Sequence, residues 1–375
     1  MLVELAKDSL MNALQHVIKA VAASSPIPIL AGIRIQAHAT GITFIASNTS
    51  MTIQVKLPQD GTSVKVQRSG AVVMPARTLY DVIRKLNDDS LVLEMKEPFM
   101  LTVLSGHAHI RLCGMNPSEF PSAICGEQHY ANKLQVNNAL FRSAIRQVAI
   151  AASNSELRPV LTGVSFIFSK NSLNLIATDG VLLASRTLHI ERNTNDSFNV
   201  IIPAKHLNEV SKMLSHEDET TEITVSNNRV KFIANGLVIE SALIEGTFPS
   251  VKKVIPPSFL CEIVVDKAYL LTAVECATVL AGGNVIRLEA DANKLKLWSK
   301  TAEIGAIENE VPLIKISGAA FIVSLNGKFL SDILRNMDCA KIRIRYTGNN
   351  KPVVMFPDDS PNSALFLITP VITNH

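Results

Sequence analysis

The chain has 375 residues, more than one hydrophobic core usually supports, so we expect two or three domains of about 100–150 residues. Apolar residues make up 47% of the chain and charged residues 18%, which excludes a disordered, collagen-like or coiled-coil protein. The net charge of +3, from 36 basic and 33 acidic side chains, is too small to identify an anionic partner.

The N-terminus and the cysteines indicate where the protein resides. Glu4 and Asp8 stand where a secretory signal needs a basic flank and an apolar run, and no stretch approaches about 18 uncharged apolar residues. The five cysteines are Cys113, Cys125, Cys261, Cys276 and Cys339. Their odd number and wide spacing, without a CxxC motif, predict neither a disulfide framework nor a zinc site. We therefore expect a soluble, cytoplasmic protein with no membrane segment, metal or cofactor.

The predicted elements recur in the same order in each third of the chain. A short alternating strand comes first, predicted at Leu2–Leu5, Leu134–Val136 and Ile263–Val265. An apolar-periodic helix follows it, predicted at Ser9–Ala23, Ala139–Ala152 and Ala268–Ala281. Further strands are predicted at 42–46, 173–177 and 295–299, and later ones at 229–233 and 341–345.

The clearest copy of the repeat is a strand that runs directly into a second helix. The first basic residue of that helix is Arg77, Lys205 or Lys328, at spacings of 128 and 123 residues. We therefore predict three tandem domains of the α+β class, each with two helices and mostly antiparallel strands. Their predicted bounds are 1–121, 129–248 and 258–375.

The second helix of each third has an apolar face and a basic face. Its predicted core stripe is Leu79, Val82 and Leu86, then Leu207, Val210 and Leu214, then Leu330, Ile333 and Met337. The opposite face carries two cations seven residues apart, nearly two helical turns: Arg77 and Arg84, Lys205 and Lys212, Lys328 and Arg335.

An acidic residue, Asp81, Glu209 or Asp332, follows the first cation of each pair by four residues. The pattern therefore permits a solvated face with an intrahelical ion-pair ladder, or a positive surface for a polyanion. The first helix of the middle third adds Arg142 and Arg146, for which the last third has no counterparts. Any basic surface is thus expected to differ among the domains.

Enzyme signatures are missing from the sequence. There is no GxxxxGK[ST], GxGxxG, HExxH or GxSxG motif. Asp88–Asp89, 216–219 and Asp358–Asp359 are interpreted as solvated turns, Gly282–Asn284 as a helix-to-strand turn, and His107 with His109 as an edge-strand surface. A hydrolase would need a set of polar catalytic side chains that meet in a pocket, and the sequence contains no recognisable set of this kind. A generic scaffold protein remains the other alternative, although that function would give no reason for the repeated cation pairs.

Six segments in order carry a resemblance to a known family. They are Pro28–Gly32, Arg158–Val164, Leu175–Gly180, Val200–Lys205, Glu245–Pro249 and Leu367–Val371. Together they make the chain similar to the bacterial sliding clamp, the beta subunit of DNA polymerase III. The resemblance covers essentially the whole chain, and the threefold repeat fits it independently.

The resemblance implies a non-enzymatic DNA-clamp fold in a head-to-tail dimer that closes a ring of six domains around duplex DNA. Helices would line the hole and strands the rim. The ring would tether DNA polymerase and give processivity, with the clamp loader and other proteins carrying linear motifs as further partners. An alternative is a clamp with specialised partners in repair or translesion synthesis. The DNA-binding residues implied are Arg77, Arg84, Arg142, Arg146, Lys205, Lys212, Lys328 and Arg335.

The resemblance also implies a cleft between the middle and last domains that receives linear peptide motifs. Its walls would be Leu161, Thr178, Gly180, Val181, Leu182, Leu183, Pro249, Lys253, Val254, Leu367, Thr369, Pro370, Val371 and Ile372. Val181, Leu182 and Ile372 stand where the family commonly has His, Arg and Arg. We therefore expect a divergent or second-copy clamp with altered partners.

The dimer contact implied by the resemblance joins the first domain to the last domain of the other subunit. It would place Ile110 and Leu112 against Val279 and Leu280. The charged residues expected to flank this contact are His107, His109, Arg111, Glu303 and Glu308.

Overall fold

The computed structural model describes residues 1–22, 26–121, 132–190, 197–215, 219–251, 253–291, 293–301 and 305–372. In the first third, the elements are β1 (Leu2–Ala6), α1 (Lys7–Val17), β2 (Gly32–His38), β3 (Gly41–Ser47), β4 (Met51–Pro58), β5 (Val64–Arg68), β6 (Gly70–Pro75), α2 (Ala76–Lys85), β7 (Ser90–Glu94), β8 (Met100–Ser105) and β9 (Ala108–Cys113).

The middle third contains β10 (Asn132–Asn137), α3 (Asn138–Ala149), β11 (Gly163–Phe168), β12 (Ser172–Thr178), β13 (Leu182–His189), β14 (Phe198–Pro203), α4 (Ala204–Met213), β15 (Thr220–Val225), β16 (Arg229–Ala234) and β17 (Leu237–Ala242). The last third contains β18 (Cys261–Asp266), α5 (Lys267–Val279), β19 (Val285–Ala290), β20 (Lys294–Thr301), β21 (Gly305–Gly318), β22 (Phe321–Asn326), α6 (Gly327–Asn336), β23 (Lys341–Tyr346), β24 (Val353–Pro357) and β25 (Ala364–Ile368).

This order confirms three tandem α+β domains. Each third has two helices, and the strand pairings found in the described ranges are antiparallel. The strand-into-helix segment recurs as β6–α2, β14–α4 and β22–α6.

The chain divides into two compact units, Met1–Val136 with Lys212–Leu243 and Asn137–Ser211 with Ile244–His375. The first unit has a five-stranded sheet, ordered β5-β1-β7-β8-β9, and an eight-stranded sheet, ordered β10-β15-β16-β17-β4-β3-β2-β6. The second unit is built on a twelve-stranded sheet, ordered β14-β11-β12-β13-β25-β24-β23-β18-β21-β20-β19-β22.

Both long sheets run across a junction between successive thirds. In the first unit β17 of the middle third pairs with β4 of the first third, with Leu237 opposite Val55. In the second unit β13 of the middle third pairs with β25 of the last third, with Leu183 opposite Leu367. Backbone hydrogen bonds therefore join the middle third to each of its neighbours.

Glycine begins the corresponding strands β2 and β11 for a steric reason. A Cβ atom on Gly32 would lie 2.5 Å from Cγ1 of Val73, and one on Gly163 would lie 2.5 Å from Cγ2 of Ile201. Both neighbours belong to the strand that leads into the second helix, β6 or β14. The first two segments of the family resemblance, Pro28–Gly32 and Arg158–Val164, therefore both contain a glycine at a position that has no room for a Cβ atom.

The helix starts differ slightly from the sequence-based expectation. Helices α3 and α5 begin one residue earlier than predicted because Asn137 and Asp266 accept hydrogen bonds from the first-turn N–H groups. Helix α1 also begins earlier, at Lys7, and its regular part ends at Val17, followed by a short 3-10 turn. Ala23, the expected end, lies outside the described residues.

The predicted core stripe of the second helices is confirmed with one correction. Leu79 and Leu86 are buried in α2 and at its end, as are the corresponding stripe residues of α4 and α6. Val82, however, is half-buried, and its neighbour Ile83 is fully buried. At 3.6 residues per turn, Ile83, four residues after Leu79, lies closer to the side of the helix that carries Leu79 than Val82 does.

In the part of the chain that the structure describes, no helix combines the length and hydropathy that a membrane span requires.

The half-buried His206 on α4 should make the stability depend on pH. Burial, with a smaller effect of the Lys205 charge, lowers the pKa of His206 to about 4 from its ordinary value of 6.5. Between these values the unfolded chain binds a proton that the folded chain does not. The free energy of unfolding should therefore fall by up to about 3 kcal/mol as the pH decreases from about 6.5 to about 4, and no further below that.

Urea unfolding of His206→Gln at pH 7 and pH 4.5 should show a smaller difference than the unmodified chain shows. His189→Gln, at an exposed position on β13, is the matched control and should retain the full difference. An equal pH dependence in all three proteins would contradict the assignment to His206.

Candidate functional site

The six predicted cations of the second helices are all exposed, on the face opposite the buried stripe. The first cation of each pair is the second residue of its helix: Arg77 in α2, Lys205 in α4 and Lys328 in α6. The helix dipole disfavours positive charge at an N-terminus. Helix stability therefore does not explain a cation at this place in three equivalent copies.

The ion pairs on these helices differ from the expected ladder. Asp81 contacts Arg84 at 3.3 Å, and Asp332 contacts Arg335 at 3.6 Å. Each acid thus pairs with the second cation, three residues later, rather than with the first cation, four residues earlier. Within the described residues Arg77, Lys205 and Lys328 form no ion pair. The first cation of every pair is therefore available to an external anion.

Two further acids neutralise part of the basic surface in the second unit. Glu275 of α5 lies 2.8 Å from Arg335. Asp338, just after α6, lies 3.1 Å from Arg146 and also accepts hydrogen bonds from Ser143 and Gln147 of α3. These contacts hold the cations in place and reduce their net field.

Arg142 differs from the other predicted DNA-binding residues in its environment. It is half-buried on α3, and its pKa is lowered mainly by burial and secondarily by the neighbouring charge of Arg146. Among the predicted basic residues, Arg142 is thus the half-buried one, whereas Arg146 on the same helix and the cations of the second helices are exposed.

A tight turn joins β12 to β13 and shapes the start of the predicted peptide cleft. The Asp179 carboxylate accepts hydrogen bonds from the N–H groups of Val181 at 2.8 Å and Leu182 at 2.7 Å. The Thr178 hydroxyl donates to the Leu182 carbonyl and accepts from the Gly180 N–H. Gly180 has φ of +97°, a conformation that favours glycine. The last three residues of the family segment, Thr178–Gly180, are therefore explained by this turn.

An apolar cluster includes two of the predicted cleft residues. It consists of Leu183, Val354, Phe356 and Leu367, all at most 5% exposed, with Val251 and Leu365 packed against it. Of these six residues, the predicted cleft walls included only Leu183 and Leu367. Val354 and Phe356 lie on β24, which none of the quoted segments covers, although its run of buried apolar residues could have indicated a core strand.

The other predicted cleft residues divide by exposure. Leu161 and Thr178 are buried and Thr369, Pro370 and Val371 half-buried, whereas Gly180, Val181, Pro249, Lys253, Val254 and Ile372 are exposed. Leu182, by contrast, is 1% exposed and pairs with Ile368 inside the sheet. An aliphatic side chain suits that burial. Only Val181 and Ile372 among the three divergent positions therefore offer an exposed surface to a peptide.

Two strand edges lie near the residues predicted for the dimer contact. Strand β9, which carries His109 to Leu112, is the last strand of its sheet and pairs only with β8 in the described chain. Residues 305–312 of β21, including Glu308, pair on one side only, with β20. Val279, at the end of α5, is 81% exposed, and Leu280 is half-buried. Glu303 lies outside the described residues.

No group of three or more His, Cys, Asp or Glu side chains comes close enough to hold a metal ion in the described ranges.

The sequence matches three consecutive family models. They describe the N-terminal domain of the DNA polymerase III beta subunit over residues 1–124, the central domain over 135–250 and the C-terminal domain over 252–370.

Curated relatives and solved structures agree with these models over the whole length. The beta sliding clamp of Bacillus subtilis is 32% identical over 375 residues, and that of Staphylococcus epidermidis 31% identical over 373, with 98% of each chain covered in both cases. The crystal structure of the Bacillus subtilis DNA polymerase sliding clamp superimposes with a TM-score of 0.94 at 30% identity and complete coverage of both chains. The DNA polymerase III beta chain of Streptococcus pneumoniae gives a TM-score of 0.93 at 28% identity, covering 99% of this chain and 100% of that one. On these matches, the chain belongs to the family of DNA polymerase III beta subunits, the bacterial beta sliding clamps.

Proposed function

We propose that this protein is a DNA sliding clamp that encircles duplex DNA in the cytoplasm and tethers the replicative polymerase to it. The observation that carries the proposal is the same exposed cation at the start of α2, α4 and α6, each above a buried apolar stripe. The proposed domains span 1–121, 129–248 and 258–375. The proposed action is mechanical rather than catalytic.

The chemistry of the cations suits a protein that slides. Contacts to phosphates hold DNA without reading its sequence, whereas contacts to base edges would fix one register. Long, exposed Arg and Lys side chains can reach phosphates loosely. The acids that pair with Arg84, Arg146 and Arg335 moderate the attraction, so that the DNA is retained and still moves.

We also propose that two copies close the ring head to tail. Strand β17 completes its sheet on β4, and β25 completes its sheet on β13, while β9 has no such neighbour in its own chain. The free edge of β21 is the corresponding acceptor on a second copy. Pairing of β9 with that edge would satisfy the open hydrogen-bonding groups of both strands. The contact would bring Ile110 and Leu112 toward Val279 and Leu280.

The partners that we propose are the polymerase catalytic subunit, the clamp loader and other proteins with short linear motifs. Leucine or phenylalanine side chains of such a motif would dock above the apolar cluster between Pro249, Val254 and Pro370. The exposed Val181 and Ile372 favour, as a second candidate function, a clamp whose partners are specialised for repair or translesion synthesis.

Charge reversal on the second helices tests the DNA proposal. Replacing Arg77, Arg84, Lys205 and Lys212 by Glu should abolish retention on nicked circular DNA at physiological salt, because four phosphate-facing charges per subunit change sign. The melting temperature should change little, since all four side chains are exposed. Gel filtration of loaded circles and a primer-extension assay measure the effect.

The matched control reverses four exposed lysines away from these helices, Lys170, Lys300, Lys315 and Lys351. It introduces four Lys→Glu changes of the same sign and should keep the protein on DNA. If the helix variant still supports processive synthesis, α2 and α4 do not face the DNA.

Truncation of the proposed dimer contact tests ring closure. Val279→Ala with Leu280→Ala removes methyl and methylene groups worth about 0.8 kcal/mol each when buried, so the dimer dissociation constant should rise by at least about tenfold. Sedimentation velocity at sub-micromolar concentration should shift from about twice the 40.7 kDa chain mass toward the monomer.

Leu140→Ala with Leu157→Ala is the control for that change, because both leucines are exposed and lie outside the proposed contact. It should sediment as the unmodified protein does. An unchanged dimer in the Val279 and Leu280 variant would move the interface elsewhere.

A further inference from the structure

Asp338, just after the end of α6, contacts three side chains of α3 in the second unit. Its carboxylate accepts a hydrogen bond from Nη2 of Arg146 at 3.1 Å and one from the Gln147 amide at 3.2 Å. The Ser143 hydroxyl donates to the same carboxylate and also accepts from the Gln147 amide at 3.0 Å. These three residues of α3 share one face because they are three or four positions apart. One acid of the last third is therefore bound to a full turn of a helix of the middle third.

The surroundings of Asp338 hold its carboxylate more firmly than an exposed ion pair would. The Arg146 and Asp338 side chains are 58% and 51% exposed, and such a pair alone restrains its partners little. Gln147, however, is only 2% exposed, so its amide has a fixed position. The half-buried Arg186 of β13 is also near, since burial lowers its pKa and the charge of Asp338 opposes that change. Enclosed groups thus fix Asp338, and Asp338 in turn fixes Arg146.

The contact leaves most of the Arg146 guanidinium available. Its hydrogen bonds to Asp338 come from Nη2, so the N–H groups on Nε and Nη1 have no partner in the described part of the chain. A guanidinium presents its N–H groups in one plane, which suits the oxygens of a phosphate. An arginine that is already held at one end loses less side-chain freedom when it binds such a group.

The internal repeat indicates that this cation and this acid occur together. The buried residues of the first helices correspond: Leu10, Ala13, Leu14 and Val17 of α1 match Phe141, Ala144, Ile145 and Val148 of α3. In that register Gln15 stands at the place of Arg146. After the second helices, where Leu214 corresponds to Met337, Ser215 stands at the place of Asp338. The junction of the first and middle thirds therefore lacks both members of the pair, whereas the junction of the middle and last thirds has both.

We propose that Asp338 is a positioning residue for DNA, which orients Arg146 so that α3 contacts a backbone phosphate. This role rests on the proposed DNA-clamp function and is opposite in sign to the effect of the Asp338 charge. An acid near DNA by itself repels phosphate, as Asp332 on α6 should. At Asp338, the gain from a fixed arginine is larger than this repulsion.

Binding of a short, fluorescently labelled linear duplex by the full-length protein tests the sign of the effect. Measured by anisotropy at several salt concentrations, Asp338→Asn should bind about three- to fivefold more weakly than the unmodified protein, with a salt slope lower by about one phosphate contact. Asp332→Asn is the matched control, because it removes the same charge from an acid whose ion pair, with Arg335, lies within its own helix. It should bind at least as tightly as the unmodified protein.

A double-mutant cycle separates positioning from a general loss of structure. Arg146→Gln should weaken binding by a similar factor, and Asp338→Asn should cause no further loss in the Arg146→Gln background. A structural defect in α3 would instead weaken binding in both backgrounds. Ser143→Ala changes no charge and removes one hydrogen bond to the carboxylate, so it should give a smaller loss that also disappears in the Arg146→Gln background.

The outcomes distinguish this role from the clamp function itself. Equal or tighter duplex binding by Asp338→Asn overturns the positioning role, since Asp338 then acts only through its charge. A loss that persists in the Arg146→Gln background overturns it as well. If the unmodified protein binds neither the linear duplex at low salt nor nicked circular DNA, the DNA proposal fails, and the positioning role fails with it.

Discussion

Backbone pairing at sheet edges is the interaction on which the rest of this structure depends. An open strand edge exposes unpaired N–H and C=O groups, and this chain satisfies two such edges internally, β17 with β4 and β25 with β13. The same repeat leaves β9 and the first half of β21 each paired on one side only in the described chain. The edges of β9 and β21 are the two open edges that the proposed head-to-tail dimer would join.

The sheets leave one face of each second helix free. The apolar stripe of each helix packs into the core, so charged residues on the opposite face do not reduce the buried apolar contacts. That exposed face carries cations in all three domains. The first cation stands at a helix N-terminus, where it costs some stability. Such a placement is expected when phosphate contact, rather than folding, determines the residue. The acids paired with Arg84 and Arg335 reduce the net positive charge of this face.

Two surfaces of different chemistry meet at the tail after β25. One is the apolar cluster around Leu183 and Leu367, suited to leucine-like anchors. The other is the polar cavity lined by Arg287, Tyr346, Asn349 and Asn350, beside the aliphatic Ile372 of the tail. Cation and apolar surface therefore lie on neighbouring elements instead of on one segment.

The threefold repeat, the α+β class, the exposed basic faces and the family could be predicted from the amino-acid sequence, because periodicity and short segments are local properties of the chain. The sequence could not show which acid pairs with which cation. Asp81 and Asp332 pair with the cation three residues later, and the other two acids, Glu275 and Asp338, pair with Arg335 and Arg146 on different helices. Nor could the sequence show that Leu182 is buried or that Arg287 lies beside Ile372. Leu182 and Arg287 have these surroundings because strands far apart in sequence become neighbours in one sheet, and local sequence patterns do not contain that information.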